Sequence, residues 1–407
     1  MRIRDPIHGD IVIDQVAKGL LDTKALQRLR GVKQLGLTHY VYPGCVHTRF
    51  DHSLGAYHMA RRLYQGVAEN PCPTELLAVG CAALLHDVGH MPFGHTLEEE
   101  FSLFAKHDSK ARLARVLSDT EVMAILSRAG LYGQVADILL ETLPGAESYL
   151  SEIIKGTIDA DVLDYLRRDA YFAGLVHDYD DRVLDNFSVR DGRLVYRLVH
   201  KGLDRPDARS ELVHLLRLRY YLTERLYYHH AKLAAGTMLA KMVERAGFTE
   251  GELLALTDEG LLTQCLSRAT ERHDTALWAL ADNLRWRRLY KRAFVQVADD
   301  ALALLWQRRR YYEGVIAEAV GLDPTEVGIY LGPRGVLKEA EVTVLTKRGS
   351  EPLALEESGD IAALARQYAA LARFYVFAPP DKTQQVRLVV ENMLGRPSEY
   401  RKDLMSL

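Results

Sequence analysis

Residues Glu75–His95 read ELLAVGCAALLHDVGHMPFGH. From Glu75 to Asp87 the run is apolar nearly all round a helical wheel, which predicts a helix buried in the core. It ends on His86 and Asp87, and Gly89 and Pro92 then stop it. A carboxylate at that depth is costly unless it is paired or bound to a cation. A divalent ion is one answer, because imidazole nitrogen and carboxylate oxygen both ligate first-row metals. The other is a capped helix end, with Asp87 bonded to nearby N–H groups.

Two further stretches offer ligand-type side chains where polar and apolar sequence meet. Upstream, His47-Thr48-Arg49-Phe50-Asp51-His52-Ser53 leads into a predicted helix, Ser53 to Gln65. Downstream, Asp159-Ala160-Asp161-Val162-Leu163-Asp164-Tyr165, then Arg168-Asp169, lies in a helical region, Ser151 to Ala173. The chain has 15 histidines, and His47, His52, His58, His86, His90, His95 and His107 crowd into one segment.

The 407 residues leave room for about two or three domains. With 48% apolar and 26% charged residues, collagenous, disordered and disulfide-stapled classes are excluded. A net charge of −3 gives no overall basic excess for nucleic acid. The basic run Arg285–Arg292 reads as a solvated face or a polyphosphate or nucleic-acid contact. Cys45, Cys72, Cys81 and Cys265 form no CxxC pair, so reduced thiols in a cytoplasmic protein are expected. The charged start MRIRDPIHGD, with Pro6, does not read as a signal peptide, and no apolar run is long enough to be expected to span a membrane.

Helical spacing covers Leu26–Leu35, Lys110–Leu117, Glu121–Ala129, Tyr132–Glu141, Glu211–Ala246 and Arg272–Leu304. In NFSVRDGRLVYRL, Asp191-Gly192 between alternating residues predicts a hairpin at about 184–198. Beyond Pro324 the pattern becomes mixed. Strands are expected at Val327–Tyr330, Glu341–Leu345 and Phe374–Phe377, with a helix at Ala362–Ala372. The expected architecture is mostly α. A helical domain spans 1–320, its core at about 45–175, and a small α+β region spans 321–407.

HTRFDHSLG, ALLHDVGHMPFGH and IDADVLDYLRRDAYFAG, in this order, resemble the motifs of the HD-domain phosphohydrolases. The openings DPIHGDIVID and LQRLRGVKQLGLTHYVYPG are similar to the deoxynucleoside triphosphate triphosphohydrolase branch. The resemblance is strong over about 5–175, looser through the long helix near Arg219–His230, and weak beyond about 300. It implies an HD-domain helical bundle and one divalent metal (Mn, Fe, Mg, Ni or Zn) held by His52, His86, Asp87 and Asp161. Four such ligands leave positions open for water or phosphate, as a catalytic metal needs.

The same resemblance implies catalytic roles for His90, His95 and His107, and a nucleotide substrate held by Gln34, Arg49, Tyr165, Asp169, Arg219 and Tyr227. Arg49 and Arg219 would meet phosphate, Tyr165 and Tyr227 would pack on the sugar, and Asp169 would accept a sugar hydroxyl. Asp22 and Arg30 match positions that bind an activating nucleotide between subunits, which implies a homo-oligomer, tetramer or hexamer. Each of these residues also has a plainer reading as packing, a helix face or an ion pair. One departure stands out. Val162 occupies a position that is usually Lys or Arg in this branch and contacts a phosphate, leaving Arg168, Arg219 or Lys232 to compensate. Other substrates of the same chemistry (a monophosphate, cyclic nucleotide or alarmone) and a regulator that binds nucleotide or nucleic acid are the alternatives.

Overall fold

The computed structural model describes residues 1–333, 337–353 and 359–400. The remaining parts of the expected 321–407 region lie outside the described residues.

The chain opens with a hairpin, β1 (Arg2–Asp5) and β2 (Gly9–Val12), paired Asp5 to Gly9 across the turn. Asp14 caps α1 (Gln15–Leu21) and Thr23 caps α2 (Lys24–Arg28), each accepting a backbone N–H of the first turn. The helix expected to run on to Leu35 stops at a 3-10 turn, Leu29–Gly31. Long-range bonds win there. Val32 O accepts the Arg49 N–H (2.9 Å), and the Lys33 N–H donates to Asp258 Oδ2 (3.0 Å).

Helix α3 (Arg49–Val67) starts on a capping box between Thr48 and Asp51. Helix α4 (Pro73–Leu85) begins with proline, and from Ala78 to Leu85 every residue is buried. Then come α5 (Lys110–Leu117), α6 (Thr120–Arg128), α7 (Tyr132–Leu140), α8 (Tyr149–Lys155) and α9 (Ala160–Phe172). The expected helix Ser151–Ala173 is thus two. At Gly156 a Cβ would lie 2.4 Å from Glu152 O, so the chain turns there on glycine, and Asp159 caps a new start. Helix α3 packs against both α4 and α9, which joins the three motifs.

The hairpin forms as β3 (Phe187–Arg190) and β4 (Arg193–Arg197), with Asp191 and Gly192 both at positive φ. The long pattern Glu211–Ala246 divides into α10 (Pro206–Leu222), a π-helical turn Thr223–Tyr227 and α11 (His230–Ala246). The expected helix Arg272–Leu304 is also corrected. Helix Thr275–Arg285 and helix Asp300–Gln307 flank a strand, Lys291–Val297. That strand pairs antiparallel with Arg373–Ala378, which pairs on its other side with Gly328–Leu331. Strand Thr343–Thr346 runs parallel to β4, Tyr196 opposite Val344. Strands from both sides of residue 320 therefore share two sheets. The fold is mostly helical, as expected, with small sheets toward the C-terminal end. Among the described residues, no single helix is long and apolar enough to cross a membrane.

Candidate metal centre and substrate pocket

Three helix ends converge. The first turn of α3 brings Arg49 and His52, the end of α4 brings His86 and Asp87, and the first turn of α9 brings Asp161. His52 Nε2 lies 2.9 Å from Asp161 Oδ1 and 3.7 Å from Asp87 Oδ2. His86 Nε2 lies 3.4 Å from Asp87 Oδ1 and 3.9 Å from Asp161 Oδ1. Metal–ligand bonds of ~2.0–2.2 Å place neighbouring ligand atoms about 3–4 Å apart, and the ligand atoms of His52, His86 and Asp87 all lie within 4.8 Å of one another, with Asp161 beside the two histidines.

The tautomers agree. His52 Nδ1 is 2.7 Å from Asp164 Oδ2 and His86 Nδ1 is 2.6 Å from Ala83 O, both acceptors only. Each ring therefore donates from Nδ1 and turns a bare Nε2 lone pair to the cluster. Both Nε2 atoms are buried with no hydrogen-bond partner among the described residues, a costly arrangement that a cation relieves. Burial pushes the His52 imidazolium down, but the Asp161 and Asp164 carboxylates outweigh it and raise it to about 10. Without an ion, His52 Nε2 carries a proton toward Asp161; an ion at the cluster would take the place of that proton.

Asp164 was not singled out in the sequence, yet it organises the centre. Besides His52, it accepts from His8 Nε2 (2.6 Å) and from Arg168 Nε (2.8 Å) and Nη2 (2.9 Å). Arg168 Nη1 donates to Asp5 Oδ2, and Asp5 Oδ1 accepts the Ile7 and His8 N–H groups. The DPIHG turn therefore serves to fix Asp164, which fixes His52. Burial would raise the Asp164 carboxyl, but Arg168, His52 and His8 hold it well below the usual carboxylate range. Gly55 makes this possible: a Cβ there would sit 1.8 Å from Asp164 Oδ1.

Arg49 is buried, with Nη1 2.5 Å from Asp87 Oδ2, while its Nε and Nη2 are buried without hydrogen-bond partners among the described residues. Two donors thus remain to receive an anion beside the cluster. His90 and His107 stack at 3.6 Å, and their Nε2 atoms lie 3.2 and 3.6 Å from Asp87 Oδ1. His95 stands edge-on to His90. Behind them Glu98, also not foreseen, lies 3.3 Å from His90 Nδ1 and 3.5 Å from His107 Nδ1 and pairs with Arg112 at 2.9 Å. The three histidines predicted from the sequence are thus brought together, His90 and His107 of them beside Asp87.

Tyr165, Arg219 and Tyr227 also meet. The Arg219 guanidinium lies 5.3 Å from the Tyr165 ring and 5.0 Å from the Tyr227 ring. The Tyr227 hydroxyl donates to Asp169 Oδ2 (2.6 Å), and His47 Nε2 lies 2.9 Å from Asp169 Oδ1. Both Asp169 oxygens therefore have partners inside the protein. Gln34 is buried next to His47, its Oε1 without a hydrogen-bond partner among the described residues. Each of the three cations expected to compensate for Val162 is engaged: Arg168 with Asp164 and Asp5, Lys232 with Glu100, and Arg219 with Glu339.

Asp22 and Arg30 have separate partners. Asp22 pairs with Lys18 at 2.7 Å and lines a shallow groove of about 470 Å³. Arg30 bonds Gln27 and covers the Phe50 ring at 3.7 Å. In the basic run, Arg287 donates to Tyr40 O, Arg288 to Asn283, and Arg292 lies over Tyr400.

Residues 49–169 match the HD domain, and residues 179–404 match the HD-associated region. This chain is an HD-domain protein with an HD-associated region. A Bacillus subtilis protein of uncharacterized function is 33% identical over 252 residues, 60% of this chain and 55% of its own length. The mouse deoxynucleoside triphosphate triphosphohydrolase SAMHD1 is 28% identical over 268 residues, 55% of this chain and 41% of its own length. The HD-domain chain thus spans about half the length of these curated relatives. The crystal structure of a hypothetical protein from Aquifex aeolicus superposes with a TM-score of 0.76, at 25% identity, over 96% of this chain and 99% of that one.

Proposed function

We propose that this protein is a metal-dependent phosphohydrolase that cleaves deoxynucleoside triphosphates to deoxynucleoside and triphosphate. The observation that carries the reading is the convergence of the buried His52 and His86 Nε2 atoms on the Asp87 and Asp161 carboxylates. His52, His86, Asp87 and Asp161 would hold the ion. When bound, it supplies Lewis-acid polarisation of a phosphoryl oxygen and an activated water.

The chain's own residues account for the rest. Arg49 offers Nε and Nη2 to the phosphate nearest the centre while Asp87 fixes its third nitrogen. His90, His95 and His107 stand within reach of that phosphate as proton carriers, and Glu98 orients two of them. Tyr165 and Tyr227 form the sugar wall, with Asp169 and His47 holding Tyr227 in place. A ring packed against C2′ leaves no space for a 2′-hydroxyl.

The test is a panel of nucleotides hydrolysed with manganese present, comparing wild type with Tyr165→Ala. Wild type should cleave dNTPs in preference to NTPs. The alanine variant should narrow that preference by about tenfold, the scale of shape-based discrimination. Equal cleavage of both by wild type refutes the sugar assignment.

A second reading keeps the metal and shortens the phosphate tail, to a monophosphate, cyclic nucleotide or alarmone. It is favoured by Val162 and by the engagement of Arg168, Arg219 and Lys232. Val162→Lys separates the two. If a β/γ phosphate passes residue 162, the added cation should lower KM for a dNTP by about tenfold, from a hydrogen bond to a charged group worth roughly 1.5–3 kcal/mol less screening. A monophosphate should show little change. Equal effects on both would place residue 162 away from the tail.

A further inference from the structure

Glu339 lies on a 3-10 turn, Lys338–Glu341, that no sequence motif marked. The turn belongs to the segment leading into strand Thr343–Thr346, which β4 anchors. Leu337 and Ala340 on either side are fully buried in the main core, so the turn is firmly seated. Glu339 itself is only 7% exposed. Its Oε1 lies 3.0 Å from Arg219 Nε, and the Tyr165 hydroxyl donates to the same oxygen at 3.4 Å.

A buried carboxylate requires a cation, and Arg219 meets that need. But Arg219 also spans the two tyrosines of the proposed sugar wall. Carboxylate and phosphate oxygens are the two anions that a guanidinium fork fits. Arg168 and Arg49 are tied to carboxylates that build the metal centre itself. The partner of Arg219 comes instead from a separate segment and has no part in holding the four metal-facing side chains.

We infer that Glu339 is an intramolecular anion that occupies Arg219 in place of a substrate's phosphate tail and so lowers the affinity of the pocket for polyphosphate. This rests on the pocket assignment of the proposed function and adds a specificity-setting residue to it. With Val162 neutral and Arg219 engaged, the pocket offers a long phosphate tail less positive charge than the motif family provides. Glu339 makes Arg219 available only to a ligand that competes for it.

The experiment is a calorimetric titration of the full chain with inorganic tripolyphosphate at one fixed, saturating manganese concentration. Wild type, Glu339→Gln, Arg219→Gln and the double variant are compared. Glutamine keeps the shape and removes the charge. Glu339→Gln should bind tripolyphosphate about tenfold more tightly, because loss of the ion pair leaves the Arg219 charge to the phosphate. The gain should vanish when Arg219 is also glutamine. An unchanged or weaker affinity, or an equal gain without Arg219, overturns the inference. If Glu339→Gln does not melt cooperatively, Glu339→Asp is used. It keeps the charge but withdraws it by one methylene, and should give a smaller gain; no gain overturns the inference. The titration involves no turnover. Absence of dNTP hydrolysis in every form would defeat the proposed function while leaving the role of Glu339 decided by the binding data.

Discussion

Asp87→Asn should yield a folded protein that has lost both its metal and its hydrolase activity. Asp87 faces His52 with one oxygen and His86 with the other. Burial opposes its charge, but Arg49, His86 and His90 hold its carboxyl well below the usual range, so it is available as an anionic ligand. Asparagine keeps one oxygen to accept from Arg49 but removes the charge that balances the ion. Alanine is the harsher change, because it leaves the buried Arg49 guanidinium without an anion, at a cost of about 3–5 kcal/mol. Replacing a residue that only orients a ligand costs 10–100-fold in metal affinity, so loss of a ligand charge should cost at least about 100-fold. Elemental analysis after dialysis reads the result. Full occupancy in the asparagine variant would show that Asp87 is not a ligand.

Asp164→Asn should weaken both the fold and the metal site. Asp164 accepts from four N–H donors: His8, His52 and two on Arg168. Asparagine offers one oxygen and sets an NH2 group against the remaining donors. The Arg168 charge would keep only Asp5 as its anion. Breaking a buried pair in this way costs about 3–5 kcal/mol, measured by the shift in denaturant midpoint. His52 would no longer be held with its proton on Nδ1, so metal affinity should also fall, by about 10–100-fold. An unchanged denaturant midpoint would show that the network contributes little.

What could be read in the sequence was local. The end of α4 was legible because apolar residues on every side, followed by His86-Asp87, leave little choice of place. The Asp191-Gly192 hairpin was legible because its two positive-φ positions are written in the residue types. What remained hidden depends on distant partners. The segment Lys291–Val297 follows a helix and is basic at its start, and it becomes a strand because Arg373–Ala378 pairs with it. Asp164 and Arg168 stand four apart on a helix, a spacing common to exposed ion pairs, yet both are wholly buried. Glu339 reaches Tyr165 across 174 residues of sequence, a contact no spacing rule reveals. Arg49 was legible as a cation near the ligands, but its bond to Asp87 was not, since it joins two separate helices.

The central claim is that this centre directs water to the α-phosphorus of a deoxynucleoside triphosphate. It is tested most directly by hydrolysis in heavy-oxygen water, followed by mass analysis of the products. Attack at that phosphorus with the deoxynucleoside leaving places one heavy oxygen in triphosphate and none in the deoxynucleoside. Recovery of a deoxynucleoside monophosphate with pyrophosphate, or of orthophosphate carrying the label, would contradict the account.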